Sequence, residues 1–142
     1  MGGQSMRITA DTNVLVRAVL MDHPTQSMLA ARTLLEAEAV AVTLPSLCEF
    51  VWVLTRGYKR SAVEVAAAVR QLIESASVIV DRLAVEAGLA VLERGGDFAD
   101  GIIAFEGRRV GGRFFLSFDK LAVALIDATL GDAKLLSTGR TR

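Results

Sequence analysis

The sequence predicts an α/β fold: a mostly parallel sheet of about four to five short strands, flanked by helices in three layers. Three observations predict it. Apolar runs of strand length alternate with stretches whose apolar residues recur at helical spacing, from Met6 to about Leu136. Acidic residues stand where strands hand over to helices, the edge at which parallel sheets place their functional crevice. With 142 residues, 52% of them hydrophobic, and no composition break, repeat or flexible linker, the chain is expected to form one domain, 6–142, behind a short extension, 1–5.

Met6, Ile8 and Ala10 alternate with Arg7 and Thr9 and predict a first strand ending at Asp11. Val14, Leu15, Ala18 and Val19 share a helical face; His23-Pro24-Thr25 breaks the pattern before a second helix over about Gln26–Ala37. Ala39–Thr43 is too short for a helix and suits a buried parallel strand. Pro45 and Ser46 open a helix through Thr55 that ends at Gly57. Ser61 and Glu64 form a capping-box pattern for a helix reaching Ser75, and Val78–Val80 is a short strand. Asp81 precedes a helix carrying Leu83, Val85, Leu89 and Leu92 that stops at Gly95-Gly96. A further helix over Phe98–Val110 closes at Gly111-Gly112. Phe114–Ser117 predicts a buried strand leading to Asp119, then a short helix through Ile126 and a last strand near Lys134–Leu136.

Composition narrows the chemistry. Cys48 is the only cysteine, which excludes an internal disulfide and a cysteine-rich zinc site and fits a reducing cytoplasm. No apolar stretch approaches the length of a membrane span, so a soluble, cytoplasmic protein with no membrane partner is expected. The glycine pairs do not fit a phosphate-binding loop, no Ser-His-Asp triad is visible, and His23, the only histidine, has no partner at metal-ligand spacing. Acidic and basic residues balance at 16 each; placing four acids in a metal-filled pocket leaves a mildly positive exterior, suited to a polyanion.

Those four acids are Asp11, Glu49, Asp100 and Asp119, each at a helix start. Each has a plain structural explanation, because aspartate is a favoured N-cap, Ser46-Leu-Cys-Glu49 matches a capping box, and first-turn acids complement the helix dipole. Together they imply more, since Ser, Thr or Asn caps equally well. Strands lie about 4.8 Å apart, so acids at the ends of central strands are pushed together and must take up protons or a cation. An all-oxygen pocket without histidine suits Mg²⁺ or Mn²⁺ rather than Zn²⁺.

Ala10-Asp-Thr-Asn-Val-Leu15, Pro45-Ser-Leu-Cys-Glu49-Phe50, Asp97-Phe-Ala-Asp100-Gly-Ile-Ile-Ala104 and Ser117-Phe-Asp119 resemble, in order, the four motifs of PIN domains, specifically those of VapC-type toxin ribonucleases. The resemblance covers Met6 to about Leu136 and identifies 6–142 as the PIN domain. It implies Asp11, Glu49, Asp100 and Asp119 as catalytic, metal-holding acids around Mg²⁺ or Mn²⁺. The implied activity is metal-assisted endonucleolytic hydrolysis of RNA, leaving 5′-phosphate and 3′-hydroxyl ends, in the toxin of a type II toxin–antitoxin pair. Its implied partners are a homodimer mate and a VapB-like antitoxin whose tail covers the acidic groove. Asp97, about 60° from Asp100 around a helix, has either an outer-sphere or an N-cap role, and Asn13 and Ser117 either orient a carboxylate or serve turn hydrogen bonds. Gly101 stands where the family often has alanine or another small residue, at a small cost to the helix.

Two basic groups, Arg56/Lys59/Arg60 and Arg108/Arg109/Arg113, either contact RNA backbone or complement helix C-termini. Trp52 and Tyr58 offer rings for stacking on bases, but Trp52 falls on an apolar helix face and core or dimer packing is the favoured expectation for it. Two other classes compete. A catalytically silent PIN-like binding module is disfavoured by the complete set of acids. A receiver-type phosphoryl-accepting domain is disfavoured because Asp11 has no adjacent acid.

Overall fold

The computed structural model describes residues 6–137; the expected extension, 1–5, lies outside the described residues. The fold is α/β, with seven α-helices and five strands among the described residues, and every strand pairing is parallel. The chain forms two compact units, one ending at Arg82 and one beginning at Leu83.

In the first unit, β1 (Arg7–Thr9), β2 (Ala39–Ala41) and β3 (Val78–Ile79) form a parallel sheet in the order β1-β2-β3, with Ile8 opposite Val40 and Val40 opposite Val78. The central strand is the one whose apolar residues run without alternation, and Ala39 and Val40 are both buried. Helices α1 (Thr12–Leu20), α2 (Pro24–Glu36), α3 (Leu44–Trp52) and α4 (Ala62–Ile73) bury Leu15, Leu47, Phe50, Val65 and Val69. The capping box at α4 forms as expected: Glu64 N–H donates to Ser61 Oγ (3.1 Å), and Ser61 N–H to Glu64 Oε1 (2.9 Å).

Helix α3 does not run on to Gly57. Its last turn widens into a π-helical turn, Val53–Gly57, that buries Leu54 and leaves the Thr55 hydroxyl buried without a partner among the described residues. Tyr58 N–H donates to Val53 O (3.1 Å), Arg60 N–H to Leu54 O (3.0 Å), and Lys59 adopts a left-handed conformation (φ 57°). Trp52 is 60% exposed, so the core half of its expected core-or-dimer packing is not realised: α3 turns a different face inward, carrying Leu47, Phe50 and Val51.

The second unit contains α6 (Phe98–Arg109), α7 (Lys120–Thr129) and a parallel pair, β4 (Phe115–Ser117) with β5 (Ala133–Leu135). Helix α5 (Arg82–Leu92) begins at the boundary and supplies buried Val85, Leu89, Val91 and Leu92. Strand β4 is less buried than its apolar sequence predicts: Leu116 is 52% and the following Phe118 69% exposed. Its hydrogen-bonded sheet has only two strands, and Phe115 and Ser117 on its other face are half-buried.

Helices α5 and α6 approach so closely that a Cβ on Gly101 would lie 2.4 Å from the Ala87 carbonyl oxygen and 2.8 Å from Gly88 Cα. Gly101 is therefore required by backbone-to-backbone packing, which the small cost assigned from helix propensity misses. No helix among the described residues is long and apolar enough to cross a membrane.

Candidate active site

The first unit places Asp11 at the start of α1 and Glu49 in the second turn of α3, two helices that follow neighbouring parallel strands. Asp11 lies two residues beyond β1 at the N-cap of α1, with extended backbone, and its carbonyl accepts from Val14 and Leu15 N–H. Its side chain makes no capping hydrogen bond. An aspartate at an N-cap ordinarily accepts from the second or third helical N–H. Here the carboxylate is exposed.

Glu49 is not a capping residue either. The N-cap of α3 is Thr43, whose side chain accepts from Ser46 N–H (3.3 Å), so the Ser46–Glu49 capping box expected from the sequence does not form. Glu49 stands in the second turn instead, and its Oε1 accepts a 2.7 Å hydrogen bond from Thr12 Oγ1. Thr12 is buried, and its hydroxyl also lies 3.3 Å from Ser46 Oγ, which donates to Ala10 O at 3.2 Å. This chain of hydroxyls ties the end of β1 to α3 and fixes one oxygen of an otherwise exposed carboxylate. Thr12 and Ser46 were not among the site residues expected from the sequence. The signal available was Thr12 beside Asp11, but its partner lies 37 residues away.

The second unit groups Asp97, Asp100 and Asp119. Asp97 is the N-cap of α6 and accepts from Ala99 N–H (3.0 Å), so its structural role is realised. Asp100 sits half-buried in the first turn of the same helix, and its carboxylate has no hydrogen-bond partner among the described residues. Its pKa is raised above the usual carboxylate value, first by burial, then by the negative charges of Asp97 and Asp119. Asp119 caps α7: Oδ1 accepts from Leu121 N–H (2.9 Å) and Ala122 N–H (3.2 Å), leaving Oδ2 unengaged among the described residues. Ser117 Oγ accepts from Asp119 N–H (3.0 Å), so this serine shapes the turn presenting Asp119.

Asn13 is exposed in the first turn of α1, with no side-chain hydrogen bond among the described residues. His23 caps α2, its Nδ1 accepting from Gln26 N–H (3.0 Å), which accounts for the histidine structurally.

No group of three or more His, Cys, Asp or Glu among the described residues stands as a ready-made metal cage. The donors present are nevertheless hard oxygens, and the pKa of Asp100 is raised first by burial and then by the charges of Asp97 and Asp119. That fits Mg²⁺ or Mn²⁺, since Mg²⁺ commonly takes one or two carboxylates and keeps water or phosphate in its remaining positions.

A comparison with protein-family models matches residues 8–124 to the PIN domain, a span that includes all four acids. The chain belongs to the PIN domain family, whose members are generally divalent-metal-dependent nucleases. A comparison with curated proteins gave no significant match.

Proposed function

We propose that this PIN domain, residues 6–142, is an endoribonuclease that uses Mg²⁺ or Mn²⁺ and serves as the toxin of a type II toxin–antitoxin pair, inhibiting translation or growth. A family match that runs through both compact units supports treating the chain as one such domain. The catalytic acids of this reading are Asp11, Glu49, Asp100 and Asp119, with Asp97, Asn13 and Ser117 in supporting, outer-sphere positions.

The observation that carries the proposal is that three of the four acids do none of the structural work available at a helix start. Asp11 occupies an N-cap without capping, Glu49 lies beyond the capping position, and Asp100 is half-buried with its charge opposed by its neighbours. A half-buried carboxylate such as Asp100, held against both burial and neighbouring negative charge, is expected where function demands it.

A bound divalent cation supplies charge stabilisation at the scissile phosphodiester and a more acidic water. The chain's own contribution is to hold the carboxylates. Thr12 Oγ1 engages one oxygen of Glu49, and the capping bonds to Asp119 Oδ1 fix that carboxylate with Oδ2 left over. Asp11 presents both oxygens unengaged among the described residues. His23, committed to its cap, has no assigned proton-transfer role.

A second copy and a VapB-like antitoxin are the proposed protein partners, in keeping with large exposed apolar side chains such as Leu29, Leu35 and Phe118. The deciding experiment incubates antitoxin-free protein with structured RNA and Mn²⁺ or Mg²⁺, alongside EDTA and Asp11→Asn controls. Metal-dependent cleavage lost in Asp11→Asn is expected. RNA left intact by the folded protein under every condition overturns the proposal.

A further inference from the structure

The two basic groups look alike in sequence, but the structure uses them differently. Arg108 works as a C-terminal clamp: its Nη2 donates to the carbonyls of Leu130 and Gly131 (both 3.1 Å) and lies 3.9 Å from Asp132. Arg109 lies over the Phe105 ring (4.7 Å) and Arg113 over Phe114 (5.4 Å). Each of these cations thus has a contact within its own unit.

Arg56, Lys59 and Arg60 are all exposed, and none of their side chains has a hydrogen bond or ion pair among the described residues. Nor do they cap the π-helical turn: its Val53 and Leu54 carbonyls accept from the backbone N–H groups of Tyr58 and Arg60. Arg60 acts on Glu64 only weakly: the pKa of Glu64 is lowered first by its hydrogen bonds to Ser61 and last by Arg60.

The segment carrying these cations is nonetheless held firmly. Tyr58 Oη donates to Asp22 Oδ2 (3.0 Å), and Arg17 Nη1 donates to Asp22 Oδ1 (3.1 Å) and reaches the Tyr58 oxygen at 3.5 Å. On the other side the Ser61–Glu64 capping box fixes the start of α4. Trp52, 60% exposed, is the last residue of α3 and directly precedes the π-helical turn that carries Arg56. Unpaired cations on a preorganised turn, next to an exposed aromatic ring, match the combination by which proteins track a nucleic-acid backbone and stack its bases.

We propose that Arg56, Lys59 and Arg60, with Trp52, form an RNA-binding surface in which the three cations contact backbone phosphates and the indole stacks on a base. The proposal rests on the ribonuclease reading and names where its substrate is held.

The test measures binding of a fluorescent RNA hairpin in EDTA, where cleavage does not intervene, across a series of salt concentrations. Arg56→Gln/Lys59→Gln/Arg60→Gln is compared with the charge-matched Arg32→Gln/Arg94→Gln/Arg113→Gln. Three lost phosphate contacts are expected to flatten the slope of log K against log salt by about 2 to 3, and the control by much less. Trp52→Leu is expected to weaken binding about fivefold or more with the slope unchanged. An equal change in both triple variants, or none in the first, overturns the proposal. Unaltered affinity in Trp52→Leu overturns RNA in favour of a generic polyanion, and loss of antitoxin binding with RNA binding intact assigns the surface to protein. Metal-dependent cleavage by the wild-type chain is scored separately, so the ribonuclease reading stands or falls on its own.

Discussion

Gly101→Ala and Gly107→Ala place the same substitution twice in one helix and are expected to have opposite signs. Helix propensity alone favours alanine by about 1 kcal/mol at either position. At Gly107 nothing lies within 4 Å of the added Cβ, so that gain is expected nearly in full. At Gly101 the Cβ would meet the Ala87 carbonyl oxygen at 2.4 Å, where ordinary contact begins near 3.4 Å, so α5 and α6 must separate by about an ångström along backbone that has no rotamer to yield. Overpacking of this kind costs about 3 kcal/mol at the upper end of its usual range, leaving Gly101→Ala less stable by about 2 kcal/mol after the propensity gain. For a chain of this length that corresponds to a melting temperature lower by about 6 °C, against a rise of about 3 °C for Gly107→Ala. Thermal and urea unfolding followed by far-ultraviolet circular dichroism measure both. A Gly101→Ala protein melting at or above the wild type refutes the close-contact argument. Because Asp100 is the adjacent residue, the same variant is also expected to lose nuclease activity.

The remaining predictions concern the hydroxyls and the acids. Thr12→Val keeps the shape but removes the bond to Glu49; with Glu49 exposed to water, a loss of about 1 kcal/mol is expected, and Thr12→Ser should recover most of it in urea titrations. Thr55→Val removes a buried hydroxyl that has no partner and should leave the protein as stable or more so, by up to about 1 kcal/mol in the same assay. The folded-state pKa of Asp100 is raised above its unfolded value, so ionising it opposes folding; metal-free stability should rise as pH falls through that pKa and level off below the unfolded one. Asp100→Asn should abolish this rise and be more stable than wild type at neutral pH, yet gain less thermal stability from added Mn²⁺. Asp119→Asn retains a capping oxygen and should fold with little loss, whereas Asp119→Ala should lose about 1 kcal/mol, both variants being inactive towards RNA.

Much of the secondary structure is legible in the sequence because its signals are local. The Ser61–Glu64 box starts α4 as its spacing implies, the unbroken apolar run Ala39–Val42 becomes a strand centred in its sheet, and Gly111 closes α6 from a positive φ. The π-helical turn at Val53–Gly57 leaves no such mark, since its register is settled by which side chains α3 buries and by the anchoring of Tyr58 to Asp22 and Arg17. The burial of β4 was overestimated for a related reason: apolar composition reports what a strand can bury, not how many strands pair beside it.

By itself the sequence determines the order of strands and helices, the placing of acids at their junctions and the family those junctions define, because each is written within a few neighbouring residues. Only the tertiary structure decides what each side chain is used for. It releases Asp11 from its cap, moves Glu49 out of the expected capping box and onto Thr12, and commits His23, Asp97 and one oxygen of Asp119 to helix starts. It also spends Arg108 on distant carbonyls while leaving Arg56 and Lys59 unpaired. A polar group takes whichever partner the fold brings within about 3 Å, and those partners often come from segments tens of residues away.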